Sequence, residues 1–180
     1  MRILLLHAFP YDPRMWDAQR PVLEGHEVIA PSLYGRGSSM DTWAASLLDE
    51  VDGSFDVVVG ASMGGGCSLA MSRQQPDRVG AIVLAGAHAG PDAPERRPVR
   101  EQMIEKIRAE GAGSVWEGEG PAASADELIA VVRALRDRPD GLARSAPDGV
   151  SEIVPGAGHM VSLERPEAFN AALSRFLEPV

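Results

Sequence analysis

Apolar runs at residues 3–6, 27–30, 56–59, 81–85 and 151–154 punctuate the chain. Each is bounded by turn residues and separated from the next by helical spacing, so they read as buried parallel strands of a doubly wound sheet. Trp43, Leu47, Leu48 and Val51 share one helical face behind a Ser38-Ser39 start, and Val99, Met103, Ile104 and Ile107 repeat that spacing. Ser124 and Glu127 form a capping box ahead of Leu128, Val131, Val132 and Leu135. The last helix carries Pro166 in its first turn and is expected to bury Phe169, Leu173, Phe176 and Leu177. The Gly/Pro/Ala-rich stretch 110–123 reads as a mobile loop, and no internal repeat is visible.

Composition narrows the class. A chain of 180 residues with 44% apolar positions is most simply one globular domain, here 1–180, able to hold a three-layer α/β core. Its net charge of −9 and pI near 4.9 argue against nucleic-acid and anionic-membrane partners, which would be repelled. Cys67 is the sole cysteine, so no internal disulfide can form, and a small buried hydrophobe is its expected role. The opening apolar run meets His7 too early to be a signal peptide or a membrane span, which makes the cytoplasm the expected compartment. No His/Asp/Glu cluster has ligand spacing, so neither metal nor cofactor is expected.

The chemistry concentrates at Val57-Val58-Val59-Gly60-Ala61-Ser62-Met63-Gly64-Gly65, a β-branched run that stops in G-x-S-x-G and continues as a helix. A strand ending in a sharp turn holds a serine hydroxyl proud of the sheet, and the following helix aims its N–H groups and positive dipole end where an oxyanion would form. Gly60 and Gly64 are needed because a Cβ there would collide with neighbouring backbone. A phosphate cradle is disfavoured, since Gly66-Cys67-Ser68 follows where a Lys-Ser/Thr pair would be required. Far along the chain, Pro155-Gly156-Ala157-Gly158-His159-Met160 places a histidine on a glycine-rich loop after the last apolar run. Such a loop can bring His159 over to take the proton of Ser62. His7, at the end of the first run, reads instead as a structural histidine bonding backbone in its turn. The turn 31–38 is architectural, with Tyr34 as a candidate pocket residue.

With these motifs in order, the chain resembles the α/β-hydrolase superfamily, specifically its small esterase, lactonase and perhydrolase-like branch. The matching segments are His7-Ala8-Phe9-Pro10 with Trp16, Tyr34-Gly35-Arg36-Gly37, Gly60-Ala61-Ser62-Met63-Gly64-Gly65, and Gly156-Ala157-Gly158-His159 followed by Leu163-Glu164-Arg165-Pro166-Glu167. The resemblance implies that Ser62 is the nucleophile, His159 the base, and the Phe9 and Met63 amides the oxyanion hole. Trp16, Tyr34, His88 and Met160 are expected to line the substrate pocket. The implied architecture is a five-stranded parallel sheet in the order 2-1-3-4-5, a minimal α/β-hydrolase with a reduced helical cap over 91–140.

Three departures from the family pattern matter. The usual first two strands are missing before Ile3, Ala8 stands where the family generally has Gly, and no strand carrying the catalytic acid can be found between Leu135 and Val150. Asp137, Asp140 and Asp148 are disfavoured as substitutes, because the helix before them should return the chain to the far edge of the sheet. Asp92, following the fourth run on the correct edge, is the better candidate; its competing role is a helix cap. The reading is therefore a serine hydrolase acting through an acyl-enzyme on Ser62, with small carboxylic esters, lactones or thioesters as substrates. The alternatives are a non-hydrolytic lyase or cyclase and a catalytically degenerate binding protein of the same fold. Trimming leaves the second strand as an unprotected edge, through which a homodimer is expected.

Overall fold

The computed structural model describes residues 1–116, 122–138, 149 and 151–178. Four strands build its sheet: β1 (Arg2–Leu6), β2 (Glu27–Ile29), β3 (Phe55–Ala61) and β4 (Val79–Ala85). All are parallel and run in the order β2-β1-β3-β4, with Leu6 opposite Gly60 and Ala61 opposite Ala85. The C-terminal ends of β1, β3 and β4 therefore lie side by side, the edge at which open α/β sheets place their ligands.

Alternation along the strands splits the core in two. Leu4, Leu6 and Val58 pack on one face with α1 (Met40–Glu50), α2 (Met63–Gln74), α3 (Arg97–Glu110) and α4 (Ala125–Arg136). Ile3, Leu5, Val57 and Val59 pack on the other with α6 (Pro166–Leu177) and a 3-10 helix, Pro13–Leu23. A one-turn helix, α5 (Val161–Glu164), precedes α6. Each fully buried Leu, Val or Phe among these contributes about 1.5–3 kcal/mol. Both expected helix starts are present: Ser39 accepts from the Thr42 amide, and Ser124 from the Glu127 amide in a closed capping box. The Pro13–Leu23 helix had no sequence signal, because Pro13 and Pro21 break any 3.6-residue pattern; the Asp12 carboxylate caps it by accepting from the Arg14 amide. Cys67 is buried, as its position suggested, and burial pushes its thiol up to about 12.

Three expectations need correction. Residues 151–154 pair with no strand: Ile153 is 87% exposed and Glu152 is ion-paired with Arg175 of α6 at 2.7 Å. With only two apolar side chains, and its glutamate engaged by α6, this segment buries too little to extend the ladder beyond β4. The sheet thus has four strands among the described residues, not five. Phe176 is 47% exposed, since the buried stripe of α6 follows Phe169, Leu173 and Leu177 at four-residue spacing and leaves it to one side. Residues 112–116 are a short 3-10 turn, Ala112–Ser114, running into half-buried Val115 and Trp116; 117–121 lie outside the described residues. So do Asp140, Asp148 and most of the segment searched for an acid strand. Among the described residues, no helix is long and apolar enough to cross a membrane.

Candidate active site

Ser62 lies between β3 and α2 at φ 49° and ψ −109°, the single non-glycine with positive φ among the described residues. That strained conformation costs energy and is held from outside. The Ser62 amide donates to the Ala85 carbonyl at the tip of β4 over 2.9 Å, while the Gly65 amide of α2 donates back to the Ser62 carbonyl over 3.1 Å. The flanking glycines are required by close approach. A Cβ on Gly60 would strike the backbone of Gly64 and the Ser68 hydroxyl, and one on Gly64 would overlap the Leu6 carbonyl. The tip of β1 is thereby pressed against the start of α2.

Across the sheet edge, the His159 loop closes the pair. Ser62 Oγ and His159 Nε2 are 2.8 Å apart, although 97 residues separate them in sequence. Glu164 of α5 grips the loop from below: its carboxylate accepts from the amides on both sides of the histidine, Gly158 at 2.5 Å and Met160 at 2.9 Å. Gly86, at φ +56° just after β4, lies so near the His159 carbonyl that a Cβ would overlap it. Neither Glu164 nor Gly86 had been given a role from sequence. The signal was a glutamate five residues past the loop histidine and a glycine at a strand tip.

Burial lowers the His159 pKa from its ordinary 6.5, and the positive charges of Arg96 and Arg100 lower it further against the opposing pull of Glu164. The ring is consequently kept neutral, in the form that accepts a proton. No carboxylate among the described residues hydrogen-bonds to it. Asp92 is engaged elsewhere: it accepts from Arg100 Nε at 2.9 Å and Nη2 at 3.4 Å, and Arg96 and Arg138 each stand 3.9 Å away. Burial opposes ionisation of Asp92, but these three guanidinium groups outweigh it and hold the carboxyl below its usual range. The role expected for Asp92 as orienting acid is therefore replaced by that of counter-ion to an arginine cluster.

Ser62 and His159 open onto a cavity of about 700 Å³. Phe9 and His88 line it, as expected of the oxyanion turn and the pocket. Met63, the other expected oxyanion donor, is the first residue of α2. Tyr34, Trp16 and Met160 are not among the lining residues, and each is used elsewhere. Tyr34 is buried against Trp116 and donates its hydroxyl to the Tyr11 carbonyl at 2.6 Å; Trp16 packs on Phe169; Met160 packs into the second core. The apolar wall comes instead from Val99, Met103, Val115, Trp116 and Leu135. His7 has the structural role read from sequence: buried, it accepts from the Leu33 amide at 2.8 Å and its other ring nitrogen meets the Ala8 carbonyl at 3.0 Å.

A parallel sheet whose central strand turns through a strained serine into a helix is the architecture of alpha/beta hydrolases. The model of the alpha/beta hydrolase family matches residues 3–147, and the chain belongs to that family. Solved structures agree on the fold. A thermophilic esterase from Thermogutta terrifontis, malate bound, is 24% identical with a TM-score of 0.81, the match covering 98% of this chain and 89% of that one. An esterase from Exiguobacterium antarcticum is 19% identical with a TM-score of 0.77, covering 98% and 91%. The enol-lactonase from Burkholderia xenovorans LB400 is 18% identical with a TM-score of 0.76, covering 98% and 90%.

Proposed function

We propose that this protein is a serine hydrolase of small carboxylic esters, lactones or thioesters, working through an acyl-enzyme on Ser62. The observation that carries this reading is the 2.8 Å contact between Ser62 Oγ and His159 Nε2 at the mouth of a cavity. His159 takes the hydroxyl proton as Ser62 attacks the acyl carbon, then gives it to the departing alcohol or thiol. Water, deprotonated by the same ring, releases the acid. The Phe9 and Met63 amides are the oxyanion donors in this scheme. The esterase and lactonase structures that share the fold support the substrate class.

No described carboxylate orients the imidazole, so among the described residues the machinery is Ser62 with His159. Loss of the acid from a serine protease triad lowers kcat about 10⁴-fold, while oxyanion hole and binding preserve catalysis. Turnover of p-nitrophenyl acetate is expected to be measurable. A fluorophosphonate probe should label the protein, and both labelling and turnover should vanish in Ser62→Ala. Folded wild-type protein that resists the probe would refute the activated nucleophile.

A further inference from the structure

The cavity is distinguished by its charge. The chain has 26 acidic against 17 basic side chains, yet no Asp or Glu lines the cavity among the described residues. Arg96, Arg100, Lys106 and Arg138 all do. Behind this wall Asp92 is the one described carboxylate that serves Arg96, Arg100 and Arg138, and of these Arg100 is hydrogen-bonded to it. Lys106 has no ion pair with any described residue. Counted over the described residues, the wall therefore carries surplus positive charge.

Arg138 sharpens the point. Its side chain is 7% exposed, and its Nε is buried with no hydrogen-bond partner. Its Nη2 lies 2.7 Å from a ring nitrogen of His88 rather than against an acid. A buried cation is costly unless an anion or a full set of hydrogen bonds compensates it. Among the described residues that compensation is incomplete, and the deficit borders the cavity onto which Ser62 opens.

We propose that the substrate carries a free carboxylate, held by the Arg96, Arg100, Lys106 and Arg138 wall while its ester carbonyl meets Ser62. The inference rests on the hydrolase reading and narrows it to esters or lactones whose acyl part ends in a carboxylate, such as half-esters of short dicarboxylic acids. Guanidinium forks match a carboxylate with two parallel hydrogen bonds, and the pairing strengthens in a site with low-dielectric walls. Val99, Met103 and Trp116 supply apolar surface for the methylenes between the two ends.

Binding and turnover test this separately. In Ser62→Ala protein, which cannot turn over, isothermal titration should show monomethyl glutarate binding about 10-fold tighter than dimethyl glutarate, as a charge-assisted bidentate contact requires. The ratio should shrink with added salt. Arg96→Gln with Lys106→Gln, both at exposed side chains, should bring it down roughly threefold or more. Equal binding of the two esters, or a ratio indifferent to the double substitution, overturns the inference. In the wild type, selective binding of the half-ester without hydrolysis would sink the hydrolase reading and leave the anion site standing. Hydrolysis of p-nitrophenyl acetate with no binding preference would do the reverse.

Discussion

At the residue scale, the chemistry depends on which protonation state His159 holds. Arg96 and Arg100 bear on it from the segment before α3 and from α3 itself, Glu164 from α5, and His88 from the loop after β4. Burial and the arginines depress its pKa below 6.5, with Glu164 only partly offsetting them. In the proposed mechanism the neutral ring is the active form, so kcat/KM should fall as pH drops through this lowered pKa. The midpoint of the acid limb is therefore expected below 6.5. Arg96→Gln, which removes one positive charge, should move that midpoint upward. A wild-type acid limb at or above the ordinary value would contradict the electrostatics described.

At the scale of elements, α5 acts as a brace. It is a single turn, but its Glu164 accepts two backbone N–H bonds from the loop that carries His159. With no orienting acid among the described residues, the backbone on either side of His159 helps set the ring's position. Misplacement by about 1 Å can cost on the order of 10²-fold in rate. Glu164→Ala is expected to lower kcat by about 10-fold or more with little change in KM. Glu164→Gln, which keeps an acceptor oxygen, should lose less. An unchanged kcat in Glu164→Ala would show that Gly86 and the sheet hold the loop unaided. Melting curves of the variants distinguish a displaced loop from a lost fold.

At the scale of the whole molecule, a chain of net charge −9 lines its cavity with four basic and no acidic side chains among the described residues, the contrast on which the proposed carboxylate site rests. The same economy of burial makes the fold sensitive to acid. His7 is buried and neutral, and desolvation lowers its pKa from 6.5 to about 4 despite the hydrogen bond to the Ala8 carbonyl. Between those two values the unfolded chain binds the proton more readily than the native one, so stability is complete above the unfolded pKa and declines as pH falls through the window. A depression of this size amounts to about 3 kcal/mol at 1.36 kcal/mol per unit. Urea denaturation should give a markedly lower unfolding free energy at pH 4.5 than at pH 7, and replacing His7 by Gln should flatten that dependence. His88 and His159, both lowered, act in the same direction.

What the sequence determined by itself is whatever the chain encodes locally. The G-x-S-x-G turn specifies the backbone at Ser62, alternation along β1 and β3 assigns side chains to two faces, and the Ser124–Glu127 box starts α4. The pairing of Ser62 with His159 was legible because the family motif names both partners. Tertiary structure decided whatever depends on neighbours distant in sequence. Asp92 became a counter-ion because Arg96, Arg100 and Arg138 converge on it, and the last of these arrives from beyond α4. Residues 151–154 pair with no strand, leaving Ile153 exposed and Glu152 ion-paired with Arg175 of α6. Tyr34 and Trp16 left the pocket for the core because buried aromatic area outweighs their polar ends, a preference that only the completed packing resolves.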